Sequence, residues 1–237
     1  MYKALFFDVD DTLIDFGLSS KAALSAAFAE LSLQYTEESE RVFHEVNDEM
    51  WHRVEKGELT RPLLYETRFS VIFDRLGLSA DAQEADRLFR QYLCEIAIPM
   101  ENAQETLAAL SERYPIYAAS NAPHLQQIRR LTGAGLIGYM KEVFTSDAIG
   151  ASKPSREFFE ACFAELPYRP DEVLMIGDSV TADVIGAMDF GMHACYFDRK
   201  GKGLPEGVSP ELTVSTLHEL CVELLGKKGC VFDNFVI

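Results

Sequence analysis

A short strand-like run, Lys3-Ala4-Leu5-Phe6-Phe7, ends abruptly in Asp8-Val9-Asp10-Asp11-Thr12-Leu13, and this junction constrains the chain more than any other feature. Side chains alternate along an extended backbone, so Asp8 and Asp10 share one side, next to each other at the strand's carboxyl end. Two carboxylates held that close need a cation or a shared proton. An acidic loop after an edge strand, or a weak calcium-like turn, is the alternative that the pair alone leaves open.

The rest of the chain narrows the choice. With 237 residues and 48% hydrophobic content it can bury a full core, as one large domain or a domain with an insert. Its formal net charge of −16 repels nucleic-acid polymers and anionic membranes, so neither is an expected partner. The same field repels a small phosphorylated metabolite. A phosphate site must therefore be assembled locally from a metal ion, a lysine and backbone N–H groups. No basic segment precedes a long apolar run, so the expectation is a cytoplasmic protein without a signal peptide or membrane span. Cys94, Cys162, Cys195, Cys221 and Cys230 are odd in number and form no C-x-x-C pair, which reads as five reduced thiols. The histidines lack zinc spacing.

From about Ser19 to Glu95 the periodicity is helical, with four helices near 19–31, 36–55, 61–76 and 81–96. Their breaks fall at Ser32-Leu33-Gln34, Lys56-Gly57-Glu58 and Gly77-Leu78-Ser79. After Pro99 helices and strands alternate. Strands are expected at 116–119, 142–145, 173–176 and 193–197, and helices at 103–113, 125–132, 157–166, 182–190 and 214–225. Val/Ile/Leu-rich strands in repeated β-α units mean a doubly wound, mostly parallel α/β sheet. The first strand belongs to that sheet. The expected organisation is a core of residues 1–15 plus 100–237, with an all-helical insert at 16–99. The apolar tail 229–237 is expected to pack against the body or across a dimer contact, leaving monomer and homodimer both open.

Ligands of open α/β sheets sit beyond the carboxyl ends of the strands. Here those ends carry Asp8 and Asp10, then Ser120-Asn121, then Gly177-Asp178-Ser179, with Lys153-Pro154 in the loop after the third strand. Each has a plainer reading. Ser120-Asn121 can simply start a helix, Lys153 can be a solvated loop lysine, and Asp178 and Asp183 can be acids favoured by a helix dipole. Their joint occurrence, in order, at successive strand ends is harder to explain that way.

In these four segments the chain resembles the haloacid dehalogenase superfamily of phosphohydrolases. Asp8-Val9-Asp10-Asp11-Thr12 looks like its first motif and Ser120-Asn121 its second. Lys153-Pro154 looks like its third, and Gly177 to Asp183 its fourth. The helical insert after the first motif is similar to the small helical cap of the family's first cap class. The resemblance implies Asp8 as nucleophile forming an aspartyl-phosphate, and Asp10 as acid and base. It implies Mg²⁺ held by Asp8, the backbone carbonyl of Asp10, and Asp178. Ser120, the Asn121 backbone N–H and Lys153 would grip the phosphoryl oxygens. Thr12 and Asp183 would stand behind these, Asp183 orienting Lys153 or a metal-bound water. An acid at position 10 sets the chain apart from the dehalogenases and transport ATPases of the superfamily.

The stretch Phe6 to Phe16, with Trp51, Gly57, Thr60-Arg61 and Arg68-Phe69, resembles the pyrimidine or house-cleaning 5′-nucleotidase branch. That implies hydrolysis of nucleoside 5′-monophosphates, with Phe16 or Trp51 stacking on a base and Arg61 or Arg68 reaching a base edge or sugar. The plainer alternative is that Trp51 and Phe69 are core of the helical insert and that the arginines pair with its many acids. Ala122-Pro123 replaces the glycine that usually follows Asn121 in this branch. Sugar-phosphate or phosphoglycolate hydrolysis, phosphomutase activity and a non-catalytic binding module are the alternatives.

Overall fold

In this computed structural model residues 2–227 and 229–230 are described. The chain divides into two compact units, Met1–Asp15 with Ile98–Ile237, and Phe16–Ala97.

The first unit is built on a six-stranded parallel sheet. Its strands are β1 (Ala4–Phe7), β2 (Ile116–Ser120), β3 (Met140–Thr145), β4 (Val173–Gly177), β5 (His193–Phe197) and β6 (Leu212–Val214), in the order β3-β2-β1-β4-β5-β6. The chain steps outward from β1 through β2 to β3, then returns to pair β4 with the other side of β1. This reversal opens a crevice at the strands' carboxyl ends. Every residue of β1, β2 and β4 is buried, as expected of strands covered on both faces. Alternate residues Ala4 and Phe6, Tyr117 and Ala119, and Val173 and Met175 share one core cluster with Phe158, Phe159 and Cys162. The last three come from the helix Arg156–Ala164.

The second unit consists of four helices, α1 (Phe16–Glu30), α2 (Glu37–Glu55), α3 (Arg61–Leu76) and α4 (Ala82–Glu95). Polar caps fix their starts. Thr36 and Ser39 exchange hydrogen bonds at the head of α2, the Thr36 N–H reaching Ser39 Oγ at 2.9 Å and the Ser39 N–H reaching Thr36 Oγ1 at 3.1 Å. Asp81 accepts from the Gln83 and Glu84 N–H groups at the start of α4. Phe28, Phe43, Phe69, Phe73 and Phe89 fill the core, each such ring contributing about 1.5–3 kcal/mol on burial.

Arg68 corrects an expectation. It is 2% exposed, donates to Asp86 at 2.6 Å and Asn47 at 2.9 Å, and lies 4.9 Å from the Phe89 ring centre. A charge buried this deeply must be paired, and its partners belong to the same helical unit, so it is an interior ion pair and not a group for a substrate. Phe16 and Trp51 are partly buried against that unit's core, and Arg61 opens α3 half-buried.

Further helices are α5 (Ala103–Ser111), α6 (His124–Gly133), α7 (Ser146–Ile149), α8 (Arg156–Ala164), α9 (Gly186–Phe190) and α10 (Leu217–Leu225). Two local differences from the sequence reading stand out. Val214 ends the short strand β6 instead of starting the last helix, which Thr216 caps two residues later. The segment before α9 is a π-helical turn, Val180–Ile185. Cys221 and Cys230 form a disulfide, with 5.9 Å between their Cα atoms. The expectation of five reduced thiols therefore holds only for Cys94, Cys162 and Cys195. Nine residues of chain let the end of α10 and the following segment bring that pair together without any C-x-x-C spacing. No helix among the described residues is long and apolar enough to cross a membrane. The tail 231–237, expected to pack, lies outside the described residues.

Candidate active site

The parallel register puts the ends of β1, β2 and β4 at one level, with Phe7 opposite both Ala118 and Ile176. Asp8 follows directly and extends the pairing, its N–H donating to Ile176 O at 2.8 Å. The chain then turns sharply. Val9 O accepts from both Leu13 and Ile14 N–H groups, and Asp11 adopts φ 59°. Lys200 and Arg199, beyond β5, tie this turn down through Asp11 at 2.8 Å and Asp15 at 2.6 Å. Thr12 is fully buried inside the turn.

Lys153 is 1% exposed and its ammonium group occupies the centre of the site. It donates to Asp8 Oδ1 at 2.7 Å, Asp183 Oδ1 at 2.7 Å and Ala119 O at 2.5 Å, which uses all three of its hydrogens. Asn121 holds the lysine's backbone in place. Its side-chain amide donates to Lys153 O and accepts from the Lys153 N–H, both at 2.9 Å. The Asn121 side chain is thus engaged with the loop, leaving the phosphate role expected of this residue to its backbone.

Asp183 reaches the site because the π-helical turn after β4 directs it back over the strand end. Its other oxygen accepts from the Ser179 N–H at 3.1 Å. Gly177 makes this approach possible. A Cβ there would overlap Asp183 Oδ2 and lie 2.7 Å from Asp183 Cβ. Gly186 does the same for the Lys153 loop, since its Cβ would fall 2.8 Å from Pro154 Cβ. Gly177→Ala is therefore expected to cost about 1–3 kcal/mol, read as a lowered Tm, and to reduce activity by displacing Asp183 from Lys153. An unchanged Tm would contradict the fit.

Asp8, Asp178 and Asp183 offer carboxylate oxygens that all lie within 4.8 Å of one another. Burial pushes Asp8 up to about 8, with Asp183 and Asp10 adding to the rise and Lys153 opposing it. Asp178 is raised well above the carboxylate range by burial and then by Asp8 and Asp183. Burial alone would pull the Lys153 ammonium down, but Asp183 and Asp8 outweigh it and raise it. Lys153 is therefore a fixed cation, and ionising all three acids around it would leave two negative charges uncompensated. A compact divalent ion with oxygen ligands fits that donor set and deficit.

The Asp10 side chain is held from α6, paired with Arg130 and accepting from Gln127 Nε2 at 2.7 Å. Gln127 also donates to Ser120 Oγ at 2.7 Å. Neither Gln127 nor Arg130 was among the residues expected at the site. In the sequence they are ordinary polar positions of an amphipathic helix, and only their spacing of three hinted at a shared face. Asp8, Asp178, Asp183, Lys153, Ser120 and Asn121 all gather at the strand ends, whereas Phe16, Trp51, Arg61 and Arg68 belong to the other unit.

Comparison with known proteins gives a consistent likeness. The family profile of haloacid dehalogenase-like hydrolases matches residues 2–191. A Bacillus subtilis protein named as a HAD-hydrolase, YfnB, is 30% identical over 92% of this chain and 94% of its own length. The Escherichia coli pyrimidine 5′-nucleotidase YjjG is 30% identical over 91% of this chain and 95% of its own. A glyceraldehyde 3-phosphate phosphatase of Methanothermobacter thermautotrophicus is 30% identical over 82% of this chain and 84% of its own. The crystal structure of YfnB bound to magnesium superposes with a TM-score of 0.89, covering 94% of this chain and 98% of that one at 29% identity.

Proposed function

Because the chain belongs to the haloacid dehalogenase-like hydrolases, we propose that it is a Mg²⁺-dependent phosphomonoesterase acting on nucleoside 5′-monophosphates through an aspartyl-phosphate. The observation that carries this reading is the Lys153 ammonium shared by Asp8 and Asp183 beside Asp178. That arrangement presents a carboxylate nucleophile and a fixed cation at one strand end, with room in its charge balance for a metal.

An Asp8 oxygen bonds to phosphorus as the ester P–O bond breaks, and the departing electron pair goes to the ester oxygen, which takes a proton from Asp10. Water then attacks the same phosphorus, the Asp8 O–P bond breaks, and the water's proton passes to Asp10. As Asp8 takes up the phosphoryl group, the Lys153 hydrogen now on Asp8 Oδ1 can pass to a phosphoryl oxygen, and the Ser120 hydroxyl holds another as their charge redistributes. Mg²⁺, held by Asp8, the Asp10 carbonyl and Asp178, would neutralise the approach of one anion to another. Asp183 keeps Lys153 aimed, as its 2.7 Å contact suggests.

The nucleotide preference is supported by the likeness to a pyrimidine 5′-nucleotidase. A second reading, a small sugar- or triose-phosphate ester, is favoured by an equal identity to a glyceraldehyde 3-phosphate phosphatase. Phosphate release across nucleoside monophosphates, sugar phosphates and phosphoglycolate separates them. Highest kcat/KM on nucleoside monophosphates upholds the first, highest on a sugar phosphate replaces it with the second, and no release from any ester overturns both. The metal has its own test. EDTA is expected to abolish turnover, and Mg²⁺ at a hundred times its Kd to stabilise the fold by about 2.7 kcal/mol, seen as a rise in Tm. A Tm indifferent to Mg²⁺ would remove the metal from the site.

A further inference from the structure

Arg130 is fully buried, yet two of its guanidinium nitrogens, Nε and Nη2, have no hydrogen-bond partner among the described residues. Burying a charge with donors unsatisfied costs stability. Its Nη1 is committed to Asp10 Oδ1. One helical turn earlier, Gln127 is equally buried and uses both hydrogens of its amide, one on Asp10 Oδ2 and one on Ser120 Oγ, each at 2.7 Å. While Asp10 is ionised, ready to take a proton from water, the amide's orientation is forced, because that carboxylate can only accept from it.

A hydroxyl has one hydrogen and two acceptor positions. Ser120 Oγ accepts from Gln127 and from the Ala122 N–H at 3.1 Å, which fills both. Its own hydrogen is then left to donate to a ligand. One amide group thus sets the direction of the Ser120 hydroxyl and the position of the Asp10 carboxylate together.

We propose that Gln127 and Arg130 are positioning residues that lock the Asp10 carboxylate and the Ser120 hydroxyl into one register, so that phosphate grip and leaving-group protonation act on the same phosphoryl group. This rests on the phosphomonoesterase reading above. Arg130 acts through Asp10, and Gln127 through Asp10 and Ser120.

The test compares two esters in kcat/KM, which reports the steps up to departure of the leaving group. A nucleoside monophosphate, or the best alkyl phosphate found, leaves as an alkoxide that needs a proton. p-Nitrophenyl phosphate leaves as a stable anion and needs none. Arg130→Ala opens a hole in the interior, so Arg130→Met, Arg130→Lys and Gln127→Met are used with the full chain and Mg²⁺. Arg130→Met is expected to lose about a hundredfold on the alkyl ester and about threefold or less on p-nitrophenyl phosphate, whereas Gln127→Met, which also frees the Ser120 hydroxyl, loses on both esters but more on the alkyl one. Arg130→Lys, which keeps the charge, recovers most of the loss. A structural role would lower both esters by the same factor and would not distinguish Lys from Met, and either result overturns the proposal. If the wild-type protein hydrolyses neither ester, the phosphomonoesterase reading itself falls and this inference with it.

Discussion

Asp8→Asn is expected to lower phosphate release on the order of 10⁴-fold or more while leaving the Tm of the metal-free protein unchanged or raised. The two effects separate because Asp8 serves chemistry at a cost to the fold. It is buried, it lies within 4.8 Å of two further carboxylates, and burial already disfavours its charged form. An asparagine has nearly the same shape and keeps an oxygen for the 2.7 Å contact from Lys153, but it brings no charge into that crowded site. Removing a charge that the structure tolerates only for function relieves the fold, as expected where stability and activity are in tension. The amide is a far poorer nucleophile, so no covalent intermediate forms. Parallel measurements of phosphate release and thermal melting with and without Mg²⁺ check both halves. A variant that lost activity only because it had lost stability would place Asp8 in the scaffold and not in the reaction.

The site was legible in the sequence where its residues follow strands. Asp8, Ser120 and Asp178 come at the ends of buried strands whose hydrophobicity is unmistakable, and an α/β sheet has one ligand-binding edge. Lys153 was legible only through its Pro neighbour and its place among the other segments. Nothing in its own surroundings announces a lysine that is 1% exposed. Arg130 and Gln127 were hidden for a general reason. Their partner Asp10 lies 120 and 117 residues away, and a polar helix position looks the same whether it meets water or a carboxylate. Arg68 misled in the opposite direction, since its partners Asp86 and Asn47 lie 18 and 21 residues away in the same helical unit. β6 escaped because a three-residue strand with a polar centre carries too little alternation to detect.

Lys153→Met is expected to destabilise the metal-free protein by about 3–5 kcal/mol and to reduce turnover by at least about a thousandfold. The mutation removes the cation whose hydrogen bonds join Asp8 and Asp183, leaving their carboxylates and that of Asp178 to face one another in a buried site. Breaking a buried pair from one side is costly because the surviving charge keeps its desolvation penalty without its partner. The stability loss should therefore depend on Asp183, which is 1% exposed and directs its second oxygen at the Ser179 N–H. Adding Asp183→Asn to Lys153→Met removes the orphaned charge, and most of the lost stability should return while activity does not. That non-additivity, measured as a double-mutant cycle on Tm or denaturant midpoints, isolates the coupling between the two groups. Mg²⁺ offers an independent check, since a divalent ion among the same carboxylates should restore part of the Tm of the single variant. Additive losses with no Mg²⁺ rescue would mean that the lysine stabilises the loop through its packing and its bond to Ala119 O, and that the charge balance of the three acids is set by something other than Lys153.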